Sequence, residues 1–203
     1  TSLRLKEFYL HGHSWGTALA LEYYLKYPKG IKAIIFNSPY FSTSLWKADA
    51  DTLITTLPDS IQLAIKTGEK NHDYGSPAYK NANEVFYKNF GVRKTKLTSE
   101  LDTSTAKGNE FIYNYMWGPT EFTAAGTLIN YNRVQSLKTI KVPTLFITGE
   151  FDEARPVTVK YFQSLVPNSK FVMIDGAGHG TMHDNKGQNI SAVKTFLDSL
   201  ELK

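Results

Sequence analysis

The chain has 203 residues, 41% hydrophobic and 13% aromatic, enough for one sizeable buried core with a smaller lobe attached and wrong for a disordered polypeptide. Its formal charge of +4 is scattered over Lys and Arg along the chain rather than gathered on one element, which argues against a nucleic-acid surface. Cysteine is absent, which excludes disulfides, thiol nucleophiles and zinc–thiolate sites together, and no apolar run approaches the ~18 residues that span a bilayer. Thr1 to Glu7 lack the apolar stretch of a signal peptide. The first strand follows almost at once, so the chain reads as starting inside a domain. A reducing, cytoplasmic setting is the expectation.

Phe8 to His11 is a short apolar run ending at Gly12, the pattern of a buried strand. Thr17 to Tyr27 has Ala18, Leu21 and Leu25 at helical spacing and stops at Pro28 and Gly30. Ile31 to Phe36 is a second apolar strand, closed by Asn37, Ser38 and Pro39. Strand, helix and strand in that order predict a parallel pair. From about Tyr40 to Lys141 the texture changes to helical segments around Leu45–Leu57, Ser60–Lys66, Pro77–Phe90 and Asn109–Met116, separated by polar breaks. This predicts a helical cap over 41–141, inserted into an α/β core made of 1–40 and 142–203. Strand logic resumes at Thr144–Thr148, a helix is expected at about Pro156–Leu165, a strand at Phe171–Ile174 and an amphipathic helix near Ile190–Leu200.

Gly12-His13-Ser14-Trp15-Gly16 fits G-x-S-x-G and lies between a predicted strand and a predicted helix. A sharp strand-to-helix turn there pushes the Ser14 hydroxyl out beyond the sheet, and small flanking residues let the backbone fold that tightly. The helix start behind it favours negative charge, and the Trp15 backbone N–H is placed to donate to an oxyanion. A chance match occurs in about one chain of this length in fifteen, given ordinary Gly and Ser usage, but few accidents fall between strand and helix.

A serine nucleophile needs a base, and the base an orienting acid; in α/β hydrolases they follow in the order Ser, Asp or Glu, His. Asp152 comes after the strand ending at Gly149, and His179 after the strand ending near Asp175. In a parallel sheet both share the end that carries Ser14. Asp175 and Asp184 also could orient a histidine, but neither directly follows a strand two elements upstream of His179. His183 lies four residues beyond His179, yet Gly178 and Gly180 argue for a loop and no Glu stands between the histidines, so no metal pair is expected. His11 and His13 read as packing or supporting groups, and His72 as solvated.

At this point the residues resemble the proline iminopeptidase (prolyl aminopeptidase) family of α/β hydrolases. The segments that carry the likeness are Tyr9-Leu10-His11-Gly12-His13-Ser14-Trp15-Gly16-Thr17, Val142-Pro143-Thr144-Leu145-Phe146-Ile147-Thr148-Gly149-Glu150-Phe151-Asp152-Glu153, Met116-Trp117-Gly118-Pro119-Thr120-Glu121-Phe122 and Gly176-Ala177-Gly178-His179. The resemblance implies a serine exopeptidase that releases N-terminal proline, or another N-terminal residue, from short peptides through an acyl-enzyme, with no cofactor and no metal. It implies that Glu121 and Glu153 hold the free amine of the substrate, and that Trp117 and Phe122 help line the pocket, against the plainer reading of core packing. The alternatives on the same scaffold are a general carboxylesterase or lipase, or an inactive fragment. The family's early His-Gly-Gly-Pro-Gly oxyanion loop has no counterpart here, so the resemblance also leads one to expect an impaired chain, or an N-terminal segment or partner chain completing the fold.

Overall fold

A computed structural model of the chain describes residues 5–94, 103 and 106–201. Four strands, β1 (Phe8–His13), β2 (Ile31–Asn37), β3 (Thr144–Gly149) and β4 (Ser169–Ile174), form one parallel sheet in sequence order. Helix α1 (Trp15–Lys26) connects the first pair. All six residues of β3 are buried, which explains why it reads as a continuous apolar run: both faces are covered.

Side chains of successive strand residues point to opposite faces. Ala33, Ile35, Leu145, Ile147 and Ile174 meet Phe196 of the C-terminal helix, whereas Ile34, Phe36 and Phe146 pack with Leu21 of α1 and with Val159 and Phe162.

The stretch between β2 and β3 holds α2 (Thr43–Ile54), α3 (Asp59–Asn71), α4 (Pro77–Phe86), a π-helical turn (Tyr87–Gly91), α5 (Glu110–Met116) and a 3₁₀ turn (Val134–Thr139). The starts are capped as their sequences dictate: Ser42 accepts from Leu45 N–H, Ser76 from Tyr79 N–H with Pro77 in the first turn, and Asn109 from Ile112 N–H. Residues 95–102 and 104–105 of the expected cap lie outside the described residues. Ala50, Ile61, Ile65, Tyr79, Phe86 and Phe122 make a separate apolar cluster within this lobe, while Trp46, Trp117, Val134 and Leu137 join the core beneath the sheet. The sheet core therefore continues into the lobe.

After β3 come α6 (Pro156–Ser164), the short α7 (Thr181–Asp184) and α8 (Lys186–Glu201). The α/β expectation and its parallel sheet match the structure. Helix α8 begins four residues before the apolar periodicity suggested, because its first turn is polar. The third cap helix changes from α to π at Tyr87, a change of hydrogen-bond register to which hydrophobic spacing is blind. Among the described residues no helix is long and apolar enough to cross a membrane.

The two elbow glycines are not equivalent. A Cβ on Gly12 would stand 2.3 Å from the carbonyl oxygen of Gly16, whereas one on Gly16 would meet nothing within 4 Å. The close backbone approach is thus a property of Gly12, which corrects the expectation that both flanks must be small. Gly12→Ala should destabilise the fold by about 2 kcal/mol or more through backbone overlap, and Gly16→Ala should be neutral or stabilising by up to about 1 kcal/mol as a helix residue. Urea unfolding of the two variants checks the contrast.

Candidate active site

Ser14 sits at the strand-to-helix junction with φ 54 and ψ −128, a strained backbone for a residue with a side chain. The turn is held by Ser14 N–H donating to Asn37 O at 3.0 Å and by the Thr17 hydroxyl donating to Ser14 O at 2.6 Å. Its own hydroxyl has no hydrogen-bond partner among the described residues and faces a cavity of about 780 Å³. Trp15, Tyr40, Trp46, Tyr113, Trp117 and Glu121 line the same cavity.

Asp152 and His179 meet behind that wall. His179 Nδ1 lies 2.8 Å from Asp152 Oδ1, and Asp152 is fully buried. The carboxylate is saturated: Oδ1 also accepts from Ala154 N–H at 2.8 Å, and Oδ2 from the Ser38 hydroxyl at 2.6 Å, Gly149 N–H at 3.1 Å and the Thr148 hydroxyl at 3.2 Å. Burial pushes its pKa up, but the facing His179 charge and hydrogen bond, with the Ser38 and Gly149 donors, outweigh burial and hold the carboxyl below its ordinary value.

His13 supports this pair from the position before Ser14. Its Nε2 lies 2.9 Å from His179 O, so it is the donor, and its ring lies 4.8 Å from the His179 ring. Burial first, then the neighbouring His179 charge, pushes its pKa down to about 4, which keeps it a neutral bracket. Trp46 closes the other side, edge-on to His179 at 5.4 Å.

Glu153 is the exception in this network. It is 2% exposed, its Oε1 lies 3.7 Å from His179 Nδ1, and neither carboxylate oxygen has a hydrogen-bond partner. Burial, followed by the nearby Glu121 charge, raises its pKa well above the usual range. Glu121 is half-buried at the cavity wall, with Trp46 Nε1 donating to its backbone oxygen at 2.9 Å and the Tyr113 hydroxyl close to its carboxylate.

Trp117 lines the cavity and donates through Nε1 to Thr120 O at 2.9 Å. Phe122 does not line it: the side chain packs on Tyr79 and Phe86 inside the cap cluster, because the tight Thr120–Thr123 turn faces it inward. Among the described residues no group of three or more His, Asp or Glu could hold a metal ion.

Two contributors escaped the sequence reading. Ser38 has φ 50, a left-handed backbone that aims its hydroxyl at Asp152, with His179 O a further 3.0 Å contact. Its position directly after β2, at the same rim as the others, was the available signal. Asp184 accepts from the backbone N–H groups of Arg93, Lys94 and Gly178 at 2.8–3.1 Å, pinning cap to histidine loop. Beside it, His179 N–H donates to Phe90 O at 2.7 Å and Gly180 N–H to Gly91 O at 2.9 Å. A Cβ on Gly178 would stand 2.5 Å from Gly91 O, so glycine is what permits the approach.

A parallel sheet with a strained serine at one strand end and an Asp–His pair at two others is the arrangement of an α/β hydrolase, and residues 1–186 match the family model described as the alpha/beta hydrolase fold. A proline iminopeptidase of Heyndrickxia coagulans is 38% identical over 200 residues, covering 98% of this chain and 69% of that protein. Among solved structures, a proline iminopeptidase of Mycobacterium smegmatis superposes with a TM-score of 0.90 at 27% identity, over 99% of this chain and 68% of that one. VinJ does so with a TM-score of 0.90 at 25% identity, over 97% and 67%. The chain belongs to the proline iminopeptidase family of α/β hydrolases, and it is a hydrolase.

The buried Glu153–His179 contact makes stability depend on pH. The imidazole loses by burial but gains more from Glu153 and Asp152, which push it up to about 9. A raised folded-state pKa contributes stability that is full below the unfolded value, about 6.5 for His, and is lost as pH rises through the folded one. The raised Glu153 has the same sign, with its loss beginning above about 4.5. The chain should therefore lose on the order of 2 kcal/mol between pH 6 and pH 9. Glu153→Gln should flatten that slope, as urea unfolding at the two pH values will read.

Proposed function

We propose that this chain is a serine exopeptidase that releases N-terminal proline from short peptides through an acyl-enzyme. The observation that carries the reading is the 2.8 Å His179–Asp152 pair, linked to the strained Ser14 through the neighbouring His13, whose Nε2 donates to His179 O, with Glu153 3.7 Å from the same imidazole.

In this mechanism His179 takes the Ser14 proton as the hydroxyl attacks the carbonyl carbon of the first residue. Asp152 holds the imidazole in the tautomer with Nδ1–H and stabilises the imidazolium. The tetrahedral oxyanion forms next to the start of α1, where the Trp15 backbone N–H donates to it. Collapse of this intermediate passes the proton from His179 to the leaving amine. Water, deprotonated by the same imidazole, then releases the free amino acid.

Substrate selection follows from charge. Glu121 and Glu153 offer a cation two carboxylates, one of which has no hydrogen-bond partner, and a free N-terminal amine is the cation that would set the first peptide bond over Ser14. The names of the relatives support the same substrate class, since both the Heyndrickxia and the Mycobacterium proteins are called proline iminopeptidases. Tyr40, Trp46 and Trp117 give the cavity an aromatic wall against which an apolar ring such as that of proline packs.

Ser14→Ala should lower kcat on a proline arylamide by roughly 10⁴-fold or more while leaving the fold intact. Acetylating the substrate's amine should abolish turnover by the parent chain; equal turnover of both substrates in a fluorogenic assay would instead support an esterase.

A further inference from the structure

Glu153 is a costly arrangement if it only attracts an amine. Its two buried oxygens have no donors, and Oε1 sits 3.7 Å from the nitrogen through which Asp152 holds His179, while the neighbouring Asp152, equally buried, is saturated with donors. Of the groups that act on Glu153, His179 alone favours its charged form, while Glu121 and Asp152 both oppose it. His179 faces Asp152, Glu153 and Glu121 on one side and His13, with His11 beyond it, on the other. Tyr113 and Tyr87, within reach of Glu121 and Glu153, and Asp184, which acts on Tyr87, complete the titratable surroundings. Among the groups that act most strongly on the pair, the acids outnumber the bases.

An empty site of this composition retains a proton. With Asp152 ionised, full ionisation of Glu153 beside a neutral His179 would leave two adjacent buried negative charges, one of them without a donor, which is the least favourable state. The proton that prevents it is shared between Glu153 and His179, and while it resides on the imidazole His179 cannot act as a base. A cation placed against the carboxylates reverses the balance: it supplies the missing positive charge and repels the imidazolium.

We propose that Glu153 makes the basicity of His179 conditional on a bound cation: the empty site stores a proton on the Glu153–His179 pair, and the ammonium group of the substrate drives it out to solvent, leaving a neutral imidazole facing Ser14. This rests on the reading of Glu121 and Glu153 as the amine site. The ammonium keeps its own protons, and one proton passes to buffer per substrate bound. Selection for a free amine then operates in turnover as well as in affinity, because an uncharged substrate finds the base already occupied. An imidazole held at about 9 is unprotonated in only about one molecule in a hundred at pH 7, so amine-free esters should be cleaved slowly there and speed up toward alkaline pH.

The test is an NMR titration of the His179 imidazole in the Ser14→Ala chain, free, with saturating pyrrolidine and with N-acetylpyrrolidine. Tryptophan fluorescence monitors occupancy through Trp15, Trp46 and Trp117 at the cavity wall. Pyrrolidine should lower the His179 midpoint by about two to three units, and the uncharged N-acetyl compound should leave it in place. Adding Glu153→Gln should lower the midpoint by a comparable amount with no amine present. A midpoint that stays put while fluorescence reports bound pyrrolidine overturns the inference and leaves the amine site standing. Pyrrolidine that fails to bind overturns both. Should the Gln variant not fold, the pyrrolidine titration of the Ser14→Ala chain still decides.

Discussion

A carboxylate removed from water must be compensated by donors, and in this molecule Asp152 is where that demand is met. Five donors converge on its two oxygens, from the end of β2 through Ser38, from the end of β3 through Thr148 and Gly149, from the following turn through Ala154, and from the loop after β4 through His179. Because hydrogen bonds to an ionised group are directional and stronger than neutral ones, these contacts fix the relative positions of three strand ends. Adjacent Glu153, equally buried but with no donor, moves in the opposite direction on the pKa scale. The two neighbours differ in partners rather than in burial.

The cap belongs to the same construction although it enters the chain between β2 and β3. The π-helical turn ends on carbonyl groups of Phe90 and Gly91 that take the backbone N–H groups of His179 and Gly180. Asp184 ties the next two cap residues to the same loop. Arg93 adds a bond to Gly176 O and stacks over Phe151 at 3.9 Å. The histidine loop therefore takes its shape from the cap as much as from β4.

Much of this was legible in the chain, and the reasons for the rest are specific. Strands bounded by Gly and Asn, the elbow around Ser14 and the order Ser, Asp, His are local or sequential signals, and sequence carries those well. The cap helices were readable from spacing and from Ser, Pro and Asn at their starts. The role of Ser38 was not, because it depends on a left-handed backbone that a serine only rarely adopts. Asp184 was weighed as a partner for a histidine side chain, whereas it binds backbone amides 91 and 90 residues away, which no periodicity reports. Phe122 lay beside motif residues that reach the cavity, but a one-residue turn of the chain decides which side chain faces inward.

Ser38 also bears on how variants of this protein would be judged. Holding a non-glycine residue at φ 50 costs on the order of 1 kcal/mol, and a glycine there would recover it. That relief is smaller than the loss of a buried hydrogen bond to an ionised carboxylate, about 1.5–3 kcal/mol, so a screen that ranks sequences by heat resistance alone would reject the exchange. Serine therefore occupies a backbone position that suits glycine because its hydroxyl is what Asp152 requires there.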